Sequence, residues 1–339
     1  MERKRVIRIV TDNIHYNDML RQLPQKNEAC SFHFTVEDIS NCDGVIVIDY
    51  PKKNILVNCI PQNVWLWNME PPDEEWEWLR KGYKHYEKII TVDHAVKHAK
   101  IIHNQLAIPW QVNKTIDELK TNNFFDVKTK VLSFITSNYN ARRGHIKRLT
   151  FLKKISGKVE FDLWGRGFKN MEDKSDGLLP YKYTIVVENS MHLDYWSEKL
   201  ADAFLCGCLP FYYGCPNAET YFNKDAFIRI DIKNPQEAIR IINRAIKNGE
   251  WEKRKNLIEE ARNLVINNYE FFSTFDRLFK KFGRYDGDKK EIRIPYLSHH
   301  VSKTNPFSLR RIYYLIRKTF FKNRYLNLEN PLFGHTTYK

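Results

Sequence analysis

Nine of the twelve positions from Glu188 to Lys199 carry polar or ionisable side chains: Glu188, Asn189, Ser190, His192, Asp194, Tyr195, Ser197, Glu198 and Lys199. Carboxylates and an amide at this density can hydrogen-bond the hydroxyls of a sugar or ribose. A lysine in the first turn of a helix, where the helix dipole also favours negative charge, can hold a phosphate. The flanking sequence says how such a loop is presented. Thr184–Val187 is a short apolar run rich in β-branched residues, as expected for a strand buried on both faces. A helix is predicted over 196–206, with Leu200, Ala203 and Phe204 facing inward and Gly207 stopping it. Leu209–Tyr213 reads as the next strand. Open parallel sheets bind ligands at the carboxyl ends of their strands, so the loop stands where a nucleotide or sugar phosphate would bind.

The segment resembles the donor-site motif of the α-1,3/4-fucosyltransferases, glycosyltransferase family 10, in its bacterial form. That motif runs aromatic-Glu-Asn-Ser, a spacer, Asp-Tyr, Thr-Glu-Lys, then a Gly-x-x-Pro strand ending in Gly. Here it reads Glu188-Asn189-Ser190, Asp194-Tyr195, Ser197-Glu198-Lys199, Gly207, Pro210 and Gly214, with Val187 for the aromatic residue and Ser197 for threonine. Weaker resemblance continues at 161–167 and 225–228. The resemblance implies a GT-B fold, two Rossmann-like doubly wound domains with a cleft between them. It also implies inverting transfer of fucose from GDP-fucose to a hydroxyl of a galactose- or N-acetylglucosamine-type glycan, as in bacterial surface polysaccharide or lipopolysaccharide synthesis. No cofactor is implied, and a divalent cation would be at most stimulatory.

Site roles follow from the same resemblance. Lys199 is expected on the diphosphate, with a second cation from an arginine after the first strand of the donor domain. Arg143 is favoured, and Arg142, Arg148 and the loop residue Arg166 are further candidates. Glu198 is expected on sugar or ribose hydroxyls, Asn189 and Tyr195 on the donor, and Glu188 as orienting the loop, with Ser190 a further donor contact. Asn189 could equally cap backbone, and Tyr195 could be core. The family's catalytic base is a glutamate in a Glu-Ser-Pro turn. The sequence here is Trp67-Asn68-Met69-Glu70-Pro71-Pro72, which places Glu70 at a strand's carboxyl end in a proline-fixed turn, with Glu74 and Glu75 as fallbacks. His192 faces either the acceptor or the loop. Asp286-Gly287-Asp288 reads as a polar turn rather than a metal motif.

The elements that must position these residues alternate strand and helix, the pattern of a parallel doubly wound sheet. In the first half, strands are expected at 6–10, 45–48, 64–67 and 89–92, with helices near 17–22, 74–80 and 95–104. Residues 109–125 form a polar linker. The alternation restarts with strands at 131–136, 159–163 and 227–230 around the motif. Helices follow at 142–155, 235–247 and 250–266, and a last one at 271–282 closes the second domain. The predicted domains are therefore 1–125 for the acceptor, 126–283 for the GDP-sugar, and a basic tail over 284–339. Within the tail, 308–325 carries Arg310, Arg311, Arg317, Lys318, Lys322 and Arg324 among apolar residues, with no acid. That pattern suits an amphipathic helix on an anionic membrane surface.

Composition sets the outer limits. A chain of 339 residues accommodates two domains, and 42% hydrophobic with 14% aromatic residues marks a globular protein. A net charge of +14 calls for an anionic partner. Nucleic acid would satisfy the charge, but no zinc-finger, RNP-like or helix-turn-helix pattern accompanies it. The six cysteines form no CxxC pair. The charged start MERKRVIRIV and the lack of a long apolar run predict a cytoplasmic enzyme, peripheral on the inner membrane face. A related transferase for another GDP-sugar, or a carbohydrate- or nucleotide-binding relative without activity, would share much of this sequence.

Overall fold

The computed structural model describes residues 4–11, 19–23, 30–140 and 142–297. Of the helix expected at 17–22, residues 19–22 are described, with Met19 and Leu20 helical and Arg21 and Gln22 in a turn, and the basic segment 308–325 lies entirely outside this set.

Short apolar runs build the first sheet: β1 (Arg5–Val10), β2 (Phe32–Thr35), β3 (Gly44–Ile48), β5 (Val64–Trp67), β6 (Lys88–Thr91) and β7 (Ile101–His103), with β4 (Ile55–Cys59) set apart. The order is β2-β1-β3-β5-β6-β7, every neighbouring pair parallel. β3 and β5 are buried along their whole length, so neither shows the alternation of a half-exposed strand. The second sheet contains β8 (Lys130–Ile135), β9 (Asp162–Trp164), β10 (Tyr181–Val187), β11 (Leu209–Tyr213) and β12 (Ile228–Arg229). Its order is β12-β11-β10-β8-β9, again all parallel. The strand order reverses between β8 and β10. The crevice beyond their carboxyl ends is the ligand position of such a sheet, and the Glu188–Lys199 loop leaves from β10 at that point.

Three expectations are corrected. The helix expected at 95–104 does not form. Its Ile101-Ile102 dipeptide is β-branched and adds to β6 as an edge strand instead. The stretch 109–125 is not a bare linker. Thr115 caps the helix Ile116–Thr121 in a reciprocal box with Glu118, and Trp110, Val112, Ile116, Leu119 and Phe124 lie in the core of the second half. The helix Phe271–Phe282, predicted within its residues, does not close the second half. Phe271, Phe272, Phe275 and Phe279 pack with Phe32, Phe34, Trp65 and Trp67 of the first. Among the described residues the first half is therefore discontinuous. It also takes in β13 (Lys290–Ile294), which pairs antiparallel with β4 and so lies within the fold, although the sequence placed it in the tail.

The crossing is held by polar side chains as well as rings. Gln22 Oε1 accepts from the amide of Phe271 at 3.0 Å. Gln105 donates to the Tyr269 carbonyl at 3.1 Å and to Thr274 at 3.2 Å. Glu270 caps the helix by accepting from the amides of Phe272 and Ser273. Its burial pushes the carboxyl up to about 7, against the pull of those hydrogen bonds.

Candidate active site

Two helix starts and one loop converge at the β8/β10 crevice. The helix Arg143–Ile155 follows β8, and its first turn is pressed onto the motif loop. A Cβ on Gly144 would lie 2.1 Å from the Asn189 carbonyl oxygen, so only glycine permits the approach. One turn further on, buried Arg148 donates from Nη1 to Asn189 Oδ1 at 2.9 Å. Arg143 is exposed at the start of the same helix, as is Arg166 in the loop after β9. Arg142 lays its guanidinium 4.8 Å from the ring centre of Trp76, a residue of the first half. Of the arginines named from sequence, then, Arg148 and Arg142 reach side chains of the crevice.

The motif helix, Glu198–Leu205, begins at Ser197, whose hydroxyl accepts from the Lys199 amide. Glu188 is fully enclosed and serves that turn. It accepts from the Ser197 amide at 2.9 Å and from its hydroxyl at 2.6 Å. Burial raises the Glu188 carboxyl, while Lys199 opposes the rise. This bears on the expected role of Glu188 in orienting the loop. Lys199 Nζ lies 3.0 Å from Glu198 Oε1 and 3.6 Å from Glu188 Oε2, and keeps about a quarter of its surface open. Burial would raise Glu198 too, but Lys199 and then Lys174 outweigh it and hold the carboxyl at about 2. Two carboxylates sharing one lysine would be a poor arrangement by itself. A further cation, Arg148, acts on both.

Positive charge gathers around buried His145, in the first turn of the Arg143–Ile155 helix. Burial first, then Arg148, Arg142 and Lys199, depress its basicity to about 4, so the ring is neutral. Its Nδ1 and the Nε of Arg148 are buried without a hydrogen-bond partner. Unpaired buried polar atoms cost about 1–3 kcal/mol each. Here they stand among three cations beside a helix start, the setting of an anion site.

The first half faces this cluster with the turn after β5. Asp49, following β3, accepts from the Met69 amide at 2.7 Å, and Asn68 accepts from the Glu70 amide at 3.1 Å while donating to Tyr83 Oη. These bonds fix the Glu70 turn, and Glu70 itself is half-buried. It lies close enough to act electrostatically on the Tyr195 hydroxyl, together with Glu188, Glu198 and Asp73. Glu74 is exposed, as expected of an ordinary solvent-facing carboxylate. Tyr195 packs with Val92 and Leu106 of the first half in a small cluster between the halves, the core alternative left open by the sequence.

Sequence reasoning missed the residues that join the halves at this site. Asp73 accepts from the Ser190 hydroxyl and from His192 Nε2, the latter at 3.1 Å. Burial raises its carboxyl, but the bonds from His192 and Ser190 prevail and hold it below the usual range. Asp194 adopts left-handed backbone, at φ 63. It accepts from Asn217 and Tyr221 at 2.7 Å, and lies 2.6 Å from His94 Nε2 of the first half. The motif supplied one partner of each bridge, but Asp73 and His94 carried no sequence signal of their own. Among the described residues, no helix is long and apolar enough to cross a membrane.

Comparison with known proteins agrees with the motif. Residues 125–276 match the family model described as glycosyltransferase family 10 (fucosyltransferase) C-term. The mouse 4-galactosyl-N-acetylglucosaminide 3-alpha-L-fucosyltransferase 9 is 29% identical over 190 residues, 52% of this chain and 51% of that protein. The alpha-(1,3)-fucosyltransferase of Helicobacter pylori is 32% identical over 121 residues, 34% of this chain and 24% of that protein. The chain thus spans about half the length, or less, of these curated relatives. A crystal structure of an α1,3-fucosyltransferase superposes with a TM-score of 0.51 at 16% identity, covering 84% of this chain and 90% of that one. An α-glucosyltransferase in complex with UDP and DNA gives 0.50 at 10% identity, covering 84% and 100%. At such identities the likeness is one of fold, here GT-B. The motif loop, the cation cluster and the second sheet all fall within 125–276, the part of the chain that matches the glycosyltransferase family 10 C-terminal model.

Proposed function

We propose that the protein is an inverting fucosyltransferase that moves fucose from GDP-fucose to a hydroxyl of a galactose- or N-acetylglucosamine-type glycan. The observation that carries this reading is the cation cluster of Arg142, Arg148 and Lys199 around neutral His145, at the switch point of a family 10 domain. Its charge and unpaired buried donors suit a diphosphate.

In a single displacement the acceptor oxygen attacks the anomeric carbon, and the bond from that carbon to the diphosphate breaks. The acceptor's proton passes to a base, and GDP leaves with the negative charge. Glu70, on the facing half in a braced turn, is the base in this reading. Lys199, Arg148 and Arg142 stabilise the departing charge, already oriented before reaction. Glu198, ionised, and Asn189 accept and donate hydrogen bonds to the donor's hydroxyls. Arg143 and Arg166, exposed beside the crevice, would contribute charge at longer range. We further propose a surface polysaccharide or lipid-linked glycan as acceptor, approached from an anionic membrane through 308–325. Liposome sedimentation of full-length protein beside a chain ending at Leu297 tests that part, and equal binding by both would refute it.

The reaction is tested by GDP release from GDP-fucose, GDP-mannose and UDP-sugars, each offered with galactose- and N-acetylglucosamine-containing acceptors. Acceptor-dependent release from GDP-fucose alone is expected. Release from GDP-mannose instead would move the reading to another GDP-sugar. Calorimetric binding of GDP-fucose without turnover would mark a non-catalytic relative.

A further inference from the structure

The two acidic residues that the first half presents at the cleft stand three positions apart and do different things. Glu70 is held by backbone bonds within its own half. Asp73 turns its carboxylate across the cleft and takes two hydrogen bonds from the motif loop, one oxygen for Ser190 and the other for His192. An ionised carboxylate can only accept, so Nε2 of His192 carries a proton, and in the neutral ring Nδ1 keeps its lone pair. Nδ1 has no protein partner among the described residues, and the His192 side chain keeps 33% of its surface open. Met191 and Leu193 on either side of it are exposed at 44% and 46%. The spacer of the motif therefore exposes an apolar side chain on either side, in sequence, of an imidazole that contacts the opposite half. Its central hydrogen-bond acceptor is fixed from the opposite half.

We propose that Asp73 is a positioning residue that locks His192 in the Nε2–H tautomer, so that Nδ1 accepts a hydrogen bond from a hydroxyl of the acceptor sugar, with Met191 and Leu193 lying against the sugar's apolar face. The inference rests on the transferase reading given above. It goes beyond that reading by giving the spacer a role in holding the acceptor, although the spacer belongs to the donor half. A sugar offers both surfaces this face requires, hydroxyl donors at its rim and C–H groups on its ring. Because the bracing carboxylate comes from the half that carries Glu70, the acceptor subsite is complete only when the two halves are apposed.

Two substitutions separate the functions of the ring. In His192→Gln the amide nitrogen stands near the position of Nε2, so the bridge to Asp73 is kept and the Nδ1 acceptor is lost. In His192→Asn the amide oxygen can stand near Nδ1, so the acceptor is kept and the bridge is lost. With GDP-fucose saturating, His192→Gln is expected to raise the acceptor KM about tenfold, the scale of one hydrogen bond, with GDP-fucose affinity unchanged. His192→Asn should recover part of that loss. Asp73→Ala should weaken the acceptor KM in the same direction. In 15N-histidine spectra, the resonance missing from His192→Gln should change from a fixed Nε2–H tautomer to an averaged one in Asp73→Ala. This spectroscopic readout does not depend on turnover. A wild-type acceptor KM in His192→Gln would overturn the proposal while leaving the transferase reading intact, as would an unaltered tautomer in Asp73→Ala. Failure of the wild type to release GDP with any sugar acceptor would overturn both.

Discussion

The two walls of the cleft are built to different rules. On the wall proposed to take the donor, charged groups are buried and paired within their own half: Glu188 with Ser197, Glu198 with Lys199, Arg148 with Asn189. That wall is preorganised, and what it lacks is an anion to complete the cluster around His145. The facing wall fixes the Glu70 turn through Asp49 and Asn68 of its own half and turns further side chains to the opposite half, Asp73 to Ser190 and His192, His94 to Asp194, Trp76 to Arg142. In the proposed function the first wall takes the donor by itself. The other is finished only by contact, and this predicts that substitutions on the two walls fail in different ways.

The sharpest separation is expected at Glu70. Glu70→Gln should lower turnover by about 10²–10⁴-fold, the scale of general-base catalysis, while calorimetry shows GDP-fucose binding intact. Loss of binding together with turnover would place Glu70 on the donor wall and break the distinction. Lys199→Ala should do the reverse and abolish measurable donor binding. It also leaves Glu188 and Glu198 without their shared cation. Urea titration should show a loss of about 3 kcal/mol, the lower end for breaking a buried pair because this lysine is partly open. Arg148→Met should weaken GDP-fucose about 10–100-fold, since a hydrogen bond from a charged group contributes about 1.5–3 kcal/mol. Arg143→Met, at the exposed position, should change affinity by threefold or less. The opposite order would restore Arg143 to the phosphate.

A different readout, stability against pH, tests the crossing between the halves. The carboxyl of Glu270 is raised to about 7 in the folded protein and titrates near 4.3 when unfolded. Below the unfolded value both states are protonated, and the residue adds no pH dependence. As pH rises from there to about 7, the unfolded state ionises first and folding stability falls. Above that window the contribution is flat. Urea midpoints between pH 4 and pH 8 should show this decline in the wild type and a shallower one in Glu270→Gln. Parallel curves would remove Glu270 from the account.

What the sequence revealed and what it hid follow the same division. The motif loop, its flanking strands and the helices at 235–247 and 271–282 were legible because their determinants are local: β-branched runs, apolar residues at helical spacing, a stopping glycine. The destination of Phe271–Phe282 was not legible. Its apolar stripe shows that it buries a face but not which sheet receives it. The pairing of Lys290–Ile294 with Ile55–Cys59 likewise joins segments far apart in the chain, and alternating charges in the later strand mask its role. In the site, Lys199 and Glu198 stood out by spacing. Arg148 was one of four candidate arginines until its hydrogen bond to Asn189 set it apart. Asp73 could not have been found, because its meaning lies in a contact across the cleft with Ser190 and His192.

The return of Phe271–Phe282 to the first sheet also dictates an order of events at the ribosome. Chains fold from the amino terminus as they emerge, yet the first sheet cannot cover Trp65 and Trp67 until residues 271–282 have been synthesised. The second half, whose core lies within 110–266, can be finished while its amino-terminal neighbour still exposes a row of aromatic rings. For the length of some two hundred further residues, that unfinished face is what a nascent-chain chaperone would meet.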